Sequence, residues 1–151
     1  MKVASFDVVF QEVPGEVTLA LNLSGCPNRC EGCHSPHLRE DIGEVFDEGL
    51  LDGLLATYGH DITCVCFMGG DQDPEFVMKM ADYVHKAGIR TAWYSGRQNF
   101  PACFRSDALD YVKVGPYIPA RGPLSDPGTN QRMFRIENGE LTDITYKFRK
   151  S

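Results

Sequence analysis

The sequence has no excess of basic residues, no long hydrophobic run and no repeated or low-complexity segment. Fifteen lysines and arginines stand against 21 aspartates and glutamates, which gives a formal net charge of −6. Because nucleic-acid phosphates attract basic surfaces, nucleic acid is disfavoured as a direct partner. No stretch reaches the roughly 20 apolar residues that cross a bilayer, and the first residues lack a continuous apolar signal segment. We therefore expect a cytoplasmic protein without a membrane partner.

Hydrophobic periodicity predicts alternating strands and helices in one domain over residues 1–151. The clearest strand is 17–23, where leucine and valine alternate with smaller or polar residues. Asp73 and Pro74 look like the cap and first turn of a helix that ends at Gly88. The other predicted elements are strands at 2–10, 62–68, 89–94 and 110–114, a helix near 47–58, and a hairpin turn at 137–140.

Alternation of strands and helices implies right-handed crossovers and a parallel sheet. The chain has too few strands for an eight-stranded barrel, so we expect an α/β fold that forms a partial, open (βα) barrel with parallel strands and a late β-hairpin. Functional loops of such sheets gather at the carboxyl ends of the strands. The loops after strands 17–23, 62–68, 89–94 and 110–114 should therefore face one mouth.

Three of the six cysteines, Cys26, Cys30 and Cys33, lie within eight residues. In a reducing compartment, clustered thiols usually hold metals or take part in catalysis. Three cysteine ligands would leave one iron of a [4Fe-4S] cluster open to a substrate, much as an open position distinguishes catalytic from structural zinc. The three cysteines outside this cluster are expected to be small buried side chains: Cys64, Cys66 and Cys103.

Other metal sites compete with this interpretation. Residues 30–34 also match the attachment motif of c-type haem, but export would be expected for such a protein and Cys26 would have no role. A structural zinc site could combine the three cysteines with His34 or His37. His34 is adjacent in sequence to Cys33, which makes joint ligation of one ion awkward. His37 is harder to dismiss on geometry, although a plain loop position is favoured for it.

The motif and its surroundings resemble the radical S-adenosylmethionine superfamily, and within it the activating proteins of anaerobic (class III) ribonucleotide reductase. The resemblance covers nearly the whole chain and is most specific over residues 18–38. A later stretch, residues 115–117 followed by 128–132, is similar to a segment of these activating proteins and favours them over the rest of the superfamily. The resemblance therefore implies a single radical S-adenosylmethionine domain over residues 1–151.

This resemblance implies an oxidoreductase that reductively cleaves S-adenosyl-L-methionine on a [4Fe-4S] cluster held by Cys26, Cys30 and Cys33. The resulting 5′-deoxyadenosyl radical would take a hydrogen atom from a glycine of the large subunit of anaerobic ribonucleotide reductase. A flavodoxin-like or ferredoxin-like protein would supply the electron. Three alternatives stay open: an activator of another glycyl-radical enzyme, a modifier of small molecules, and a non-catalytic zinc-stabilised binding module.

Cofactor contacts are also implied by the resemblance, whereas no side chain is implied to be catalytic. Gly69, Gly70 and Asp71 match a glycine-glycine-acid motif, with aspartate where glutamate is expected. A tight turn is the competing explanation for the glycine pair, and a simple turn is equally favoured for the Ser-Gly pair at 95–96. The complete implied set of contacts with the cofactor is Gly32, Cys33, His34, Gly69, Gly70, Asp71, Ser95 and Gly96.

Four further positions carry no firm assignment. Lys113 lies where the family leads us to expect an acidic residue, so little chemistry is carried over to it. Asn130, Gln131 and Arg132 could contact the reductase or the cofactor. A solvated charge at the start of a hairpin is the competing explanation for Arg132.

Overall fold

A computed structural model describes residues 1–24 and 44–148 of the chain. The cysteine segment, including Cys26, Cys30, Cys33, Gly32 and His34, lies outside the described residues. His37 lies outside them too, so the competing zinc ligands are not described either.

Eight strands, two α-helices and a short 3-10 helix are formed by the described residues. The strands are β1 (Lys2–Val9), β2 (Thr18–Leu23), β3 (Glu44–Val45), β4 (Cys64–Met68), β5 (Arg90–Tyr94), β6 (Tyr111–Val114), β7 (Arg132–Glu137) and β8 (Glu140–Asp143). The helices are α1 (Glu48–Tyr58), α2 (Pro74–Lys86) and the 3-10 helix Thr145–Phe148.

The strands form one mixed sheet in the order β3-β1-β2-β4-β5-β6-β7-β8. Its centre, β2-β4-β5-β6, is parallel, and the strands on both sides of this centre are antiparallel. Asn22, Met68, Tyr94 and Lys113 align across the four central strands. The four carboxyl ends therefore lie at one edge of the sheet. The partial (βα) barrel, and its assignment as one radical S-adenosylmethionine domain, stay predictions.

Both helices begin at aspartate caps, as the sequence predicts for Asp73 of α2. The Asp47 carboxylate accepts a hydrogen bond from the Leu50 amide at 2.8 Å, and the Asp73 carboxylate accepts one from the Phe76 amide at 3.2 Å. Each cap satisfies an amide that the first helical turn leaves without a partner. The predicted apolar stripe of α2, from residue 77 to residue 84, is buried.

The two faces of the sheet are covered differently. Both helices pack on the face that carries Leu21, Phe67 and Trp93. The opposite face carries a smaller apolar cluster, in which residues from the strands meet residues from connecting segments: Val13, Cys64, Cys66, Ala92, Tyr111, Leu124, Met133 and Ile144. Neither of the described α-helices covers this second face, which loop segments and the 3-10 helix close. Neither described α-helix has the length and apolar character needed to span a lipid bilayer.

Candidate functional site

Hydrogen bonds join the loops that follow β4 and β5. The Asp71 carboxylate accepts hydrogen bonds from the Ser95 hydroxyl at 2.5 Å and from the Gly96 amide at 2.9 Å. The Asp71 carbonyl also accepts a hydrogen bond from the Arg97 guanidinium at 3.2 Å. Asp71 and Ser95 are 2% and 1% exposed. Three of the predicted cofactor-contact residues are thus in direct mutual contact.

The buried Lys113 side chain extends this network to the loop after β6. Its ammonium group donates hydrogen bonds to the Ser95 carbonyl at 3.2 Å and to the Gly115 carbonyl at 2.8 Å. The Gly115 amide donates to the Arg97 carbonyl at 2.7 Å, and the Gln131 amide side chain approaches the Gly115 carbonyl at 3.4 Å. The three strand-end loops are therefore one connected unit, as the expected common mouth requires.

The glycine pair adopts a backbone conformation that favours glycine. Gly69 and Gly70 have φ angles of +103° and +89°. A Cβ on Gly70 would lie 2.6 Å from the Val77 side chain, so packing also excludes a larger residue there. The Gly69 carbonyl accepts a hydrogen bond from the Trp93 indole at 2.7 Å, and the Gly70 carbonyl accepts one from the Asp73 amide at 3.1 Å. Each carbonyl oxygen has a second lone pair with which to meet a ligand.

The start of the cysteine segment is tied to this same edge. Ser24, the last described residue before that segment, is fully buried. Its carbonyl accepts a hydrogen bond from the Gln72 side chain at 2.8 Å. Gln72 directly follows Asp71 in the loop after β4. The loops after β2 and β4 therefore begin side by side.

A cavity of about 520 Å³ opens on the helix-free face, next to the carboxyl ends of the strands. This volume lies within the range of small-molecule sites, roughly 300–1,000 Å³. Met68, Tyr94, Lys113 and Gln131 contribute its lining from neighbouring strands or strand ends. The 3-10 helix contributes Phe148, and connecting segments contribute the other described lining residues: Gln11, Glu12, Tyr117, Pro123, Leu124 and Ser125.

The part of the lining that the described residues form is largely apolar and carries one residue of each charge, Lys113 and Glu12. The Lys113 ammonium lies 5.9 Å from the centre of the Tyr94 ring. Burial is the main cause that raises the pKa of Tyr94 well above its ordinary value. Tyr94 is therefore a neutral phenol, and its hydroxyl donates a hydrogen bond to the Glu12 carbonyl.

The other three cysteines do not join a metal centre among the described residues, which contain no group of three potential ligands. Cys64 and Cys66 are fully buried, which confirms that part of the prediction. Burial raises the pKa of both thiols, so they stay protonated. Cys103 is only partly buried and departs from the expectation, because it lies in the irregular connection between β5 and β6.

A second polar cluster lies at the opposite, amino-terminal end of the parallel strands. The Glu16 carboxylate, in a residue that is 7% exposed, accepts hydrogen bonds from the Thr63 hydroxyl at 2.6 Å and the Tyr111 hydroxyl at 2.8 Å. Arg90 approaches the same carboxylate at 3.4 Å. Burial, followed by the contact with Glu16, raises the pKa of Tyr111. These side chains satisfy one another inside the fold, so this end of the sheet serves stability.

A family model described as a 4Fe-4S single cluster domain matches residues 13–114. The chain belongs to this family. The matched region contains the three clustered cysteines and the strands β2, β4, β5 and β6. Family membership confirms the prediction of an iron–sulfur protein and is compatible with an oxidoreductase. No curated protein and no solved structure matches the chain.

The late motif residues are distributed between the cavity and the edge of the sheet. Gln131 lines the cavity, whereas the Asn130 side chain donates a hydrogen bond to the Pro116 carbonyl at 3.1 Å. Arg132 begins β7 and lies 3.7 Å from the Asp143 carboxylate. Sequence reasoning left the part played by Lys113 open and gave none to Tyr94. The available signal was strand alternation: Lys113 lies two residues after Tyr111 in β6, and Tyr94 lies two residues after Ala92 in β5, so the residues of each pair share one face of the sheet.

Proposed function

We propose that the chain is a radical S-adenosylmethionine enzyme that activates anaerobic ribonucleotide reductase by generating a glycyl radical in its large subunit. Membership of the 4Fe-4S family supports an iron–sulfur cofactor. The three-then-two spacing of Cys26, Cys30 and Cys33 supports a cluster with one open iron. The resemblance of residues 115–117 and 128–132 to the activating proteins supports the choice of reductase as the partner.

The observation that carries the proposal is the connected carboxyl edge of the sheet. Only Gly25 separates Cys26 from Ser24 along the chain. Ser24 is hydrogen-bonded to Gln72, which lies two residues after Gly70. This contact supports a cluster that is held beside the glycine pair and the adjoining cavity.

The described residues fit the cofactor in charge as well as in size. S-adenosylmethionine carries an ammonium, a carboxylate, a sulfonium and a nucleoside. The oriented carbonyls of Gly69 and Gly70 suit an ammonium, because carbonyl oxygens accept its hydrogen bonds. Among the described residues, Lys113 is the one cationic side chain that lines the cavity, and it suits the carboxylate. The Tyr94 and Tyr117 rings line the same cavity and suit the flat, apolar face of a nucleobase.

When bound, the cluster supplies the single electron that cleaves the sulfonium cofactor. The contribution of the chain is to orient that cofactor and to exclude water from it. Tyr94 stays neutral and tied to Glu12, so it closes one wall of the cavity without adding a negative charge. The reductase segment that carries the glycine would enter over the open part of the same cavity, and a flavodoxin-like or ferredoxin-like reductant would deliver the electron.

The first test is cofactor cleavage by the protein reconstituted with iron and sulfide under anaerobic conditions. We expect about four irons per chain and, after chemical reduction, release of 5′-deoxyadenosine and methionine from S-adenosylmethionine. Cys30→Ala should abolish this release. Cys103→Ala is the matched control, because that cysteine lies outside the clustered motif, and it should retain full cleavage.

Two results of this test would contradict the proposal. A colourless protein that binds zinc through the same cysteines would favour the structural zinc module. A correctly loaded iron–sulfur protein that leaves S-adenosylmethionine intact would favour simple electron transfer.

The second test addresses the partner. The reduced protein is mixed with the large subunit of an anaerobic ribonucleotide reductase and S-adenosylmethionine, and the glycyl radical is measured by electron paramagnetic resonance. We expect a radical signal that depends on Cys30. Normal cofactor cleavage without a radical would retain the enzyme class and exclude this partner.

A further inference from the structure

We propose that the Asp71 carboxylate is a positioning group, which holds the Ser95–Gly96 turn and the Lys113 ammonium in place for the cofactor and does not itself contact it. The inference rests on the proposed function and deepens it. It concerns the position at which this chain has aspartate in place of the glutamate expected from the resemblance.

Both carboxylate oxygens of Asp71 are used within the protein. One oxygen accepts a hydrogen bond from the Ser95 hydroxyl at 2.5 Å, and the other accepts one from the Gly96 amide at 2.9 Å. The residue is 2% exposed, so water contributes little to the solvation of its charge. A buried carboxylate needs such charge-assisted hydrogen bonds, because its desolvation is otherwise costly. The carboxylate therefore points into the protein and toward the β5 loop.

The effect of Asp71 reaches the cavity through Ser95. The Ser95 hydroxyl donates to Asp71, while the Ser95 carbonyl accepts from the Lys113 ammonium at 3.2 Å. Lys113 also donates to the Gly115 carbonyl at 2.8 Å and lines the cavity. The Ser95–Gly96 turn therefore lies between the buried Asp71 carboxylate and the buried Lys113 ammonium. A shift of that turn would move one of the two hydrogen-bond acceptors that orient the cation.

The length of the aspartate side chain matters in this arrangement. An added methylene would advance the carboxylate by about 1.5 Å, which exceeds the tolerance of hydrogen bonds at 2.5 and 2.9 Å. In a residue with 2% exposure, the extra atom would also have to displace packed neighbours. Asp71→Glu should therefore disturb the turn, although it restores the residue expected from the resemblance.

The test compares the wild type with Asp71→Asn and Asp71→Glu, all reconstituted with the cluster. The matched control is Asp73→Asn, because the same chemical change falls two residues away at a helix cap where asparagine serves as well as aspartate. Hydrogen exchange measures protection of the Gly96 amide. Kinetics of S-adenosylmethionine cleavage give KM and kcat separately. Thermal unfolding of the same samples reports any general loss of stability.

Asp71→Glu should lose Gly96 protection, whereas Asp71→Asn can keep this contact through its amide oxygen while it loses the charge and the hydrogen bond that Ser95 donates. Both variants should raise the KM for S-adenosylmethionine about tenfold, which is the effect of one lost hydrogen bond to a charged group. We expect kcat to change less than KM, and Asp73→Asn to match the wild type. Adding Ser95→Ala to Asp71→Asn should raise KM little further, because the two residues act through one contact.

Two outcomes would overturn the inference. Wild-type Gly96 protection in Asp71→Glu, together with a raised KM, would mean that Asp71 contacts the cofactor directly. An Asp71→Glu variant with wild-type KM and protection would mean that the short carboxylate is not needed for positioning. Failure of the proposed function is recognised separately, because the wild type itself would then cleave no cofactor.

Discussion

Replacement of Trp93 by phenylalanine tests whether the Gly69 carbonyl is oriented from within the sheet. Trp93 is the single tryptophan of the chain and is 1% exposed. Its indole donates a hydrogen bond of 2.7 Å to the Gly69 carbonyl. Phenylalanine keeps an aromatic ring in the core but removes the donor. The carbonyl then loses the contact that fixes its direction.

The magnitude follows from the contacts that disappear. Removal of the indole donor leaves the Gly69 carbonyl without its partner, which costs about 1–3 kcal/mol of stability. Incomplete filling of the larger indole site adds to this cost. We therefore expect the free energy of unfolding to fall by about 2–4 kcal/mol. At about 2–4 °C per kcal/mol for a chain of this size, Tm should fall by roughly 4–16 °C.

Thermal unfolding followed by circular dichroism measures this change in the reconstituted protein. Tyr111→Phe is the control, since it removes a buried hydroxyl that donates to Glu16 at the other end of the sheet. Both variants should lose stability, but only Trp93→Phe should also raise the KM for S-adenosylmethionine. A Trp93→Phe protein with normal Tm would refute the stabilising contact. Equal effects of the two variants on KM would refute the proposal that the cofactor binds at the carboxyl edge of the sheet.

Three other perturbations test separate parts of the structure. Gly70→Ala should lower the free energy of unfolding by about 2–4 kcal/mol, because the added Cβ strains the backbone and overpacks the core. The Cβ of Gly53→Ala in α1 would meet no atom within 4 Å, so this variant should raise the free energy of unfolding by up to about 1 kcal/mol. Urea unfolding measures both changes. Burial raises the pKa of the Cys66 thiol in the folded protein, so the thiol keeps its proton there at high pH. In the unfolded chain the same thiol loses its proton near its ordinary pKa. The free energy of unfolding should therefore fall above about pH 9. In Cys66→Ala that fall should be shallower by up to about 1.4 kcal/mol per pH unit, and an unchanged slope would contradict it. Lys113→Met should raise the KM for S-adenosylmethionine about 10–100-fold, while the exposed Lys86→Met should not; equal KM values would exclude Lys113 as the carboxylate partner.

Local sequence signals predicted most elements of the fold because their causes are local. The Asp73–Pro74 pair defines a helix start through one side-chain hydrogen bond and one fixed φ angle, and both act within a single turn. The turn at Asn138–Gly139 needs positive φ angles, which these two residues tolerate best. The period of two over 17–23 similarly follows from strand geometry alone.

Pairing between distant segments was harder to predict. The two-residue strand β3 (Glu44–Val45) has no period of its own and exists only because β1 offers a free edge. The antiparallel direction of β1 and β2 also depends on the path of the connection between them and on no single residue. The loop segments that cover the second face of the sheet were hard to predict for the same reason. Val13 and Leu124 are separated by more than 100 residues and meet only in the folded chain.

Some residues of the candidate site can be predicted from the sequence, and others are recognised only from contacts in the folded chain. A glycine pair after a strand is visible in the sequence, so the sequence alone indicates Gly69 and Gly70 as candidate cofactor contacts. Lys113 could not be assigned a role, because nothing near it in sequence indicates that its ammonium meets the Ser95 carbonyl. The function of Asp71 depends likewise on a neighbouring strand, which brings Ser95 within hydrogen-bond distance.

The two ends of the parallel strands use buried carboxylates for different purposes. Glu16 is satisfied by side-chain donors from three neighbouring segments, Thr63, Arg90 and Tyr111. Asp71 instead binds the hydroxyl of Ser95 and the amide of Gly96, which belong to the loop after β5. The strand ends next to these loops line the cavity through Met68, Tyr94 and Lys113. Because ligands of open α/β sheets bind outside the carboxyl ends of the strands, substitutions near Glu16 should affect stability, whereas those near Asp71 should affect cofactor affinity.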